Sequence, residues 1–377
     1  MKEIQYKKFS WHTHKKNWQL KQPNVCQFEL TFNCGLHCKH CYTGCYNKPS
    51  YFKKELNTKQ IKFILDKVYN AGIIWVCFTG GDPLIRPDFL DIYSYAKDKG
   101  FIVTVFTSGY SIDKKVVKYF EKRPPFVIET TLNAAIEQTY EKISQVKGSF
   151  KKVIEGIDLI LKANISLKVK TQITRDNLEE VSEIKKFVEG LGLKFRPSTD
   201  LHARLNGNLA PCNLRISPQR VLNLDGKVEG DCINESKGIK AIERHSSTTL
   251  RAGKEAKAQR HKGQREKKRT TNDNLFRCAI GGGDGINIDP YGNIFSCNLI
   301  REPKFNLLKV DIEYAQNKLL SLVRGKKFTT NSKCRVCDLK ELCHTCPGRA
   351  YVETSDKEAP IPYYCELSEK ITKLKNC

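Results

Sequence analysis

Thr31-Phe32-Asn33-Cys34-Gly35-Leu36-His37-Cys38-Lys39-His40-Cys41-Tyr42 continues from a short apolar and β-branched run, Gln27–Phe32. Three cysteines in eight residues can wrap one small metal centre. A tetrahedral zinc would want a fourth ligand. A four-iron cluster held by only three thiolates keeps one iron with an open position for a substrate or cofactor. A loop at the C-terminal end of a barrel strand is also where such folds place their chemistry.

Working outward, Trp75–Thr79, Ile102–Thr107, Val127–Leu132 and Ser166–Ile173 read as further strands, each bounded by polar residues or glycine. Helical periodicity fills the gaps. Ile61, Ile64, Leu65 and Val68 form one stripe, which Asn57 or Thr58 could cap. Phe150, Val153, Ile154, Ile157 and Leu161 form another, and Val181, Ile184 and Val188 a third. Strands separated by helices imply right-handed βα units and a parallel sheet. Five or six units between Val25 and Pro197 suit a partial or full barrel; an open doubly wound sheet fits the alternation equally.

Beyond this region the pattern breaks. Leu214–Leu224 reads as one helix. The stretch Lys237–Thr270 carries a local charge of +9 within a total of +24, few large apolar residues and no aromatics. Such a segment cannot bury enough surface to fold alone. It reads as a solvated basic insertion, with a docking surface for an acidic partner as the alternative. The excess charge favours acidic partners generally. No apolar stretch approaches the roughly 20 residues that span a bilayer, and no apolar core follows the basic N-terminus, so a cytoplasmic location is expected. Sixteen cysteines in a reducing compartment point to metal ligation rather than disulfides.

The Cys-x-x-x-Cys-x-x-Cys spacing with an aromatic residue before the last cysteine resembles the radical S-adenosylmethionine (radical SAM) superfamily. Further strand ends carry the same resemblance. Thr79-Gly80-Gly81-Asp82-Pro83 is similar to the family's Gly-Gly-Glu-Pro, with aspartate in place of glutamate. Thr107-Ser108-Gly109 is similar to its Thr-Asn-Gly, Thr131-Leu132-Asn133-Ala134 to its Ser-Leu-Asp-Gly, and Val146–Phe150 opens the next helix as in the family. The resemblance implies that Cys34, Cys38 and Cys41 bind a [4Fe-4S] cluster whose open iron chelates SAM. One electron passed to SAM then yields a 5′-deoxyadenosyl radical. It also implies cofactor contacts by His40, Gly80, Gly81, Asp82, Ser108 and Thr131.

Downstream lie Cys278, Cys297, Cys334, Cys337, Cys343, Cys346 and Cys365. Paired Cys-x-x-Cys units alone would suggest two structural zinc sites. Beside the first motif they resemble the SPASM extension of radical SAM enzymes, which holds one or two auxiliary [4Fe-4S] clusters. The resemblance implies one cluster on Cys278, Cys297 and Cys346, with Asp284 a candidate fourth ligand, and one on Cys334, Cys337, Cys343 and Cys365. Two residues separate Cys343 from Cys346, where the family usually has three. Cys77 reads as a buried core thiol. Cys212 and Cys232 are weak candidates for a catalytic hydrogen-atom donor, with an inert thiol as the plainer reading. Asp289–Asn293 reads as a tight turn between strands.

The expected architecture is a partial (β/α)6 TIM-like barrel followed by a small cysteine-rich α+β domain. It divides into an N-terminal segment at 1–24, the barrel at 25–200, a bridging region at 201–275 and the SPASM domain at 276–377. The resemblance implies a maturase that abstracts hydrogen from a peptide or protein, supplied with electrons by a flavodoxin or ferredoxin. Too few residues precede Cys34 for a leader-binding domain, so either a separate leader-binding protein is a partner or the barrel and the basic insertion bind the leader. Sulfatase-maturase-like activity and the synthesis of a peptide-derived cofactor are the enzymatic alternatives. A zinc-stabilised nucleic-acid-binding protein would account for the charge and the cysteine pairs, but not for the Gly-Gly-Asp-Pro strand end or the βα alternation.

Overall fold

The computed structural model describes residues 5–20, 22–44, 49–224, 273–276, 285–340 and 342–375. The basic insertion, Cys232, Cys278 and Asp284 lie outside the described residues. Two compact units are present. One comprises Val25–Ile216 and Ile286–Asn317, the other Met1–Asn24, Ser217–Gly285 and Lys318–Cys377.

The first unit is built on parallel strands β1 (Val25–Thr31), β2 (Trp75–Gly80), β3 (Ile102–Thr107), β4 (Val127–Thr131), β5 (Leu167–Gln172) and β6 (Pro197–Ser198). They lie in sequential order, β6-β5-β4-β3-β2-β1. The sheet then continues through β7 (Gly285–Ile288), β8 (Asn293–Phe295) and β9 (Phe305–Asn306), with β8 antiparallel to both neighbours. The order is linear, so the six βα strands make a partial barrel rather than a closed one. The first segment of the cysteine-rich region, Ile286–Asn317, belongs to this unit because its hairpin extends the barrel sheet.

Alternation along the strands explains the core. Phe78, Val103, Val105, Ile128 and Val169 are almost wholly buried and face the helices. Phe78 meets Phe89 edge to face at 6.2 Å, and Phe89 meets Phe120. Each such side chain contributes about 1.5–3 kcal/mol by leaving water. The helix Thr58–Asn70 begins at Asn57 with a full capping box to Gln60, and its stripe Ile61, Ile64, Leu65 and Val68 is buried. The Asp289–Asn293 turn closes between β7 and β8. Gly292 takes φ +80°, and the Asp289 carboxylate accepts from the Tyr291 and Asn293 backbone amides at 2.9 Å.

Two elements differ from expectation. Leu214–Leu224 is not one helix. A single 3-10 turn at Cys212–Leu214 gives way to extended backbone at Arg215, and the helix runs only from Pro218 to Leu224. Pro218 has no amide hydrogen and disfavours helical geometry at Ser217, so the helix must start there. A helix at Tyr6–Leu20 occupies the N-terminal segment, where no clear apolar stripe announced one. Among the described residues no helix is long and apolar enough to cross a membrane.

Candidate iron–sulfur and cofactor site

The loop carrying Cys34, Cys38 and Cys41 leaves β1 at Thr31 and is tied down at several points. The His37 and Lys39 amides donate to the Ser144 and Ile143 carbonyls, at 2.9 and 3.0 Å, at the end of the helix Glu137–Ser144. The Lys39 ammonium pairs with Asp176, which also holds Lys142. Within the loop, Cys41 N donates to Cys38 O, Leu36 N approaches Cys34 Sγ at 3.4 Å, and Cys41 Sγ lies 3.0 Å from Thr43 Oγ1. A side chain at Gly35 would strike the Tyr110 ring at 2.5 Å, so glycine is the residue this close turn admits.

The end of β2 is stitched to the same loop. Gly81 N donates to Thr31 O and Asp82 N to Asn33 O, both at 2.8 Å. A Cβ at Gly80 would lie 2.2 Å from Thr31 O, and one at Gly81 2.1 Å from Asn33 O. The two glycines therefore let one strand end press against the segment that delivers Cys34.

Asp82 is fully buried. Thr107 Oγ1 donates to both of its oxygens at 2.9 Å, Ser108 Oγ at 2.5 Å, and the Ser108 and Leu84 amides at 3.1 Å. Burial raises its carboxyl above the ordinary range, and the Ser108, Thr107 and Leu84 donors oppose that rise. The acid thus braces the ends of β2 and β3, with its oxygens already supplied by protein donors. Ser108 is one of those donors. Thr131, half-buried, ends β4 opposite Lys170.

The thiols sit in an environment that resists bare thiolates. Burial, then Asp82, push Cys34 up to about 12; burial, then Cys41 and Cys34, raise Cys38. The three cysteines therefore neighbour one another. Among the described residues no three ligand side chains converge tightly enough for a single metal ion. A four-iron cluster asks something different, since each thiolate binds its own iron and the irons supply the countercharge that burial demands. Burial lowers the His40 imidazole to about 4, so it is neutral at neutral pH, and its Nδ1 is buried without a hydrogen bond. A soft donor set, a neutral ring with an open nitrogen and glycines at the crossing fit the cluster and its nucleoside cofactor.

Two neighbours of the thiols had no signal of their own in the sequence. Tyr140 is buried, and its phenol is raised by burial, then by Cys38, Cys34 and Asp82. Tyr42 is raised by burial, then by Glu29, and both Cys41 and Cys297 act in the same sense. One phenol therefore neighbours a thiol from each constellation. Cys297 lies in a loop fixed to β1 by a bidentate Arg301–Glu29 pair, two contacts at 2.7 Å, while the Arg301 guanidinium stacks over Phe295 at 4.8 Å. Cys77 is buried in β2, as read. Cys212 lies half-buried in its 3-10 turn.

In the second unit, burial, then Cys343, Cys334 and Cys337, raise the Cys365 thiol, so these cysteines lie in one neighbourhood, although among the described residues no three converge tightly enough for a single metal ion. Ser332 caps the turn that carries Cys334 and Cys337, accepting from Cys334 N at 3.2 Å. Glu358 holds the preceding segment: Thr329 and Thr330 each donate an amide and a hydroxyl to its carboxylate at 2.6–2.9 Å. Burial would raise that carboxyl, but the threonine donors outweigh it and hold it down to about 2. Cys346 precedes the helix Pro347–Thr354 and is half-buried.

Known proteins bear on this arrangement. Residues 28–188 match the radical SAM superfamily model. An AdoMet-dependent heme synthase of Methanosarcina barkeri is 24% identical over 351 residues, 90% of this chain and 96% of that protein. The mycofactocin maturase MftC of Mycobacterium tuberculosis is 27% identical over 196 residues, about half of each chain. Among solved structures, Streptococcus suis SuiB bound to S-adenosylmethionine shares the fold with a TM-score of 0.64, at 15% identity over 94% of this chain and 80% of that one. SuiB has also been solved with its precursor peptide SuiA.

Proposed function

We propose that this enzyme, whose residues 28–188 belong to the radical SAM superfamily, cleaves SAM reductively and abstracts hydrogen from a peptide or protein substrate in the maturation of a ribosomally made peptide. The observation that carries the reading is the Cys34–Cys41 loop clamped between the helix Glu137–Ser144 and the Gly80-Gly81 strand end. Cys34, Cys38 and Cys41 would hold the family's [4Fe-4S] cluster. When bound, the cluster and SAM together supply an oxidant strong enough to take hydrogen from an unactivated carbon. The neutral His40 ring offers Nδ1 towards the cofactor, Ser108 and Thr131 offer hydroxyls from neighbouring strand ends, and Asp82 holds Thr107 and Ser108 in place. Cys334, Cys337, Cys343 and Cys365 would hold one auxiliary cluster; Cys278, Cys297 and Cys346 are the candidates for another. The peptide reading is supported by the mycofactocin maturase and by the shared fold of SuiB.

A second reading has its own support. The relative matched along nearly its whole length acts, by its name, in heme synthesis. A tetrapyrrole is then the substrate in place of a peptide.

The test is anaerobic SAM cleavage after cluster reconstitution, with 5′-deoxyadenosine quantified by mass spectrometry. The reading expects cleavage in the parent and none when Cys34, Cys38 and Cys41 are all alanine. Iron-loaded parent protein that never cleaves SAM, with or without candidate substrates, overturns it.

A further inference from the structure

The interior face of a barrel sheet is ordinarily filled by branched apolar side chains. Here it is charged. In β5 the apolar Leu167 and Val169 are buried towards the helices, while Lys168 and Lys170 take the opposite face. Glu129 of β4 lies on that face and pairs with Lys168 in the strand register. Its carboxylate is buried and meets three cations: Lys170 at 2.5 Å, Arg196 at 3.6 Å and Lys168 at 3.7 Å. The Lys170 ammonium also sits 4.5 Å from the centre of the Phe106 ring, on β3. These contacts span three strands, so all belong to one lumen.

Three cations against one carboxylate exceed what burying Glu129 requires. Side-chain exposure is 47% for Lys168, 35% for Lys170 and 27% for Arg196, against 8% for Glu129. The acid is enclosed, Lys168 is exposed, and Lys170 and Arg196 are half-buried. The Arg196 nitrogen facing Glu129 is itself buried and makes no hydrogen bond. Along β4, Glu129 lies two residues below Thr131, about 7 Å at the usual strand rise. The cations therefore line the interior just beneath the strand ends that carry the candidate cofactor contacts.

We infer that Lys168, Lys170 and Arg196 form an anion subsite that binds a carboxylate of the substrate, with Glu129 as the counter-anion that the three cations share until it binds. This deepens the function proposed above and rests on it for the word substrate. The shared chemistry is a carboxylate, carried either by an acidic peptide or by a tetrapyrrole's propionate side chains.

The test is equilibrium binding to the reconstituted, full-length protein without reductant. The probes are coproporphyrin III against its tetramethyl ester, and hexaglutamate against hexaglutamine. At least one acid should bind about tenfold or more tightly than its neutral counterpart, and which acid does so identifies the source. Lys168→Met and Arg196→Met should each erase most of that preference. Glu129→Gln should strengthen binding of the same acid, because it removes the competing carboxylate; a misfolded variant cannot produce that sign. SAM affinity should stay within about twofold throughout. The inference is overturned if neither acid is preferred, if the preference survives in both cation variants, or if these variants lose SAM affinity instead. SAM cleavage in the same preparations separates the two proposals: parent protein that binds the acid but never cleaves SAM refutes the function and leaves the subsite standing.

Discussion

Replacing Asp82 by glutamate restores the acid that is usual at this point of the motif, and the structure predicts that it does harm. Asp82 has no exposed surface and accepts from five donor contacts, the longest 3.1 Å. All of its partners are short: Thr107, Ser108 and the Leu84 amide. One more methylene in a filled, wholly buried site costs about 1–3 kcal/mol through displaced neighbours. Ser108 must move with the longer acid, and it closes a strand end of the candidate cofactor site. Asp82→Asn preserves shape but turns an amide NH2 donor towards existing donors, with a loss of about 1.5–3 kcal/mol for a bond to a charged group. Both variants should show a lower thermal midpoint under anaerobic conditions and SAM affinity reduced by about tenfold for every 1.4 kcal/mol transmitted to the site. If Asp82→Glu matches the parent in stability and binds SAM more tightly, the bracing role is refuted and the acid contacts the cofactor directly.

Gly81→Ala places a methyl 2.1 Å from Asn33 O, so the chain delivering Cys34 must shift. We expect SAM affinity by equilibrium dialysis to fall about tenfold or more, with far-UV circular dichroism unchanged; unaltered affinity would remove the stitch from the site. Glu29 and Arg301 are 3% and 16% exposed in their side chains. Truncating either should cost about 3–5 kcal/mol, while the double variant Glu29→Leu/Arg301→Met should lose less than the two singles together. Additive urea midpoints would show that the pair is not coupled. Glu358 has a depressed carboxyl, so its contribution is complete above the ordinary carboxyl range and is lost only as pH falls through about 2. The stability lost in Glu358→Gln should therefore be constant from about pH 6 to 9, and iron bound per chain should drop; a loss that grows or shrinks across that window contradicts the assignment.

The parts of the fold legible in the sequence are those written locally. Ile102–Thr107 was delimited to the residue because a β-branched run is bounded by Gly100 and Ser108, and the Asn57 cap was readable because a capping box spans only four positions. The cysteine loop was legible for the same reason, since its ligands lie within eight residues. What could not be read depends on register between distant strands. Lys168 and Lys170 alternate with Leu167 and Val169, and only the pairing of β5 with β4 sets them beside Glu129. Tyr140 reaches Cys34 and Cys38 because two loop amides dock on the end of its helix. The saturation of Asp82 by Thr107 and Ser108 needed β2 and β3 to end side by side. Within Leu214–Leu224, Pro218 is the local signal that starts the helix at that residue and not at Leu214.

The fold and the candidate cofactor site do not distinguish a peptide from a tetrapyrrole, because this chain matches both a heme synthase and a mycofactocin maturase. Discrimination has to come from what fills the lumen. An apolar lumen would close by its own packing and bind through shape. A charged lumen cannot close that way, since cations taken from water without partners are costly. Lys168, Lys170 and Arg196 must keep either water or an anion beside them. Replacing that water by a substrate carboxylate strengthens each charge pair, because attraction grows as water leaves. A substrate that seals the barrel as it enters is therefore held most strongly when it carries acid, and the advantage should weaken with added salt only for its exposed portions. Salt dependence of the two acid probes thus separates capture inside the barrel from attraction by the chain's overall charge. A preference that persists at high salt belongs to the lumen, and one that vanishes belongs to the surface.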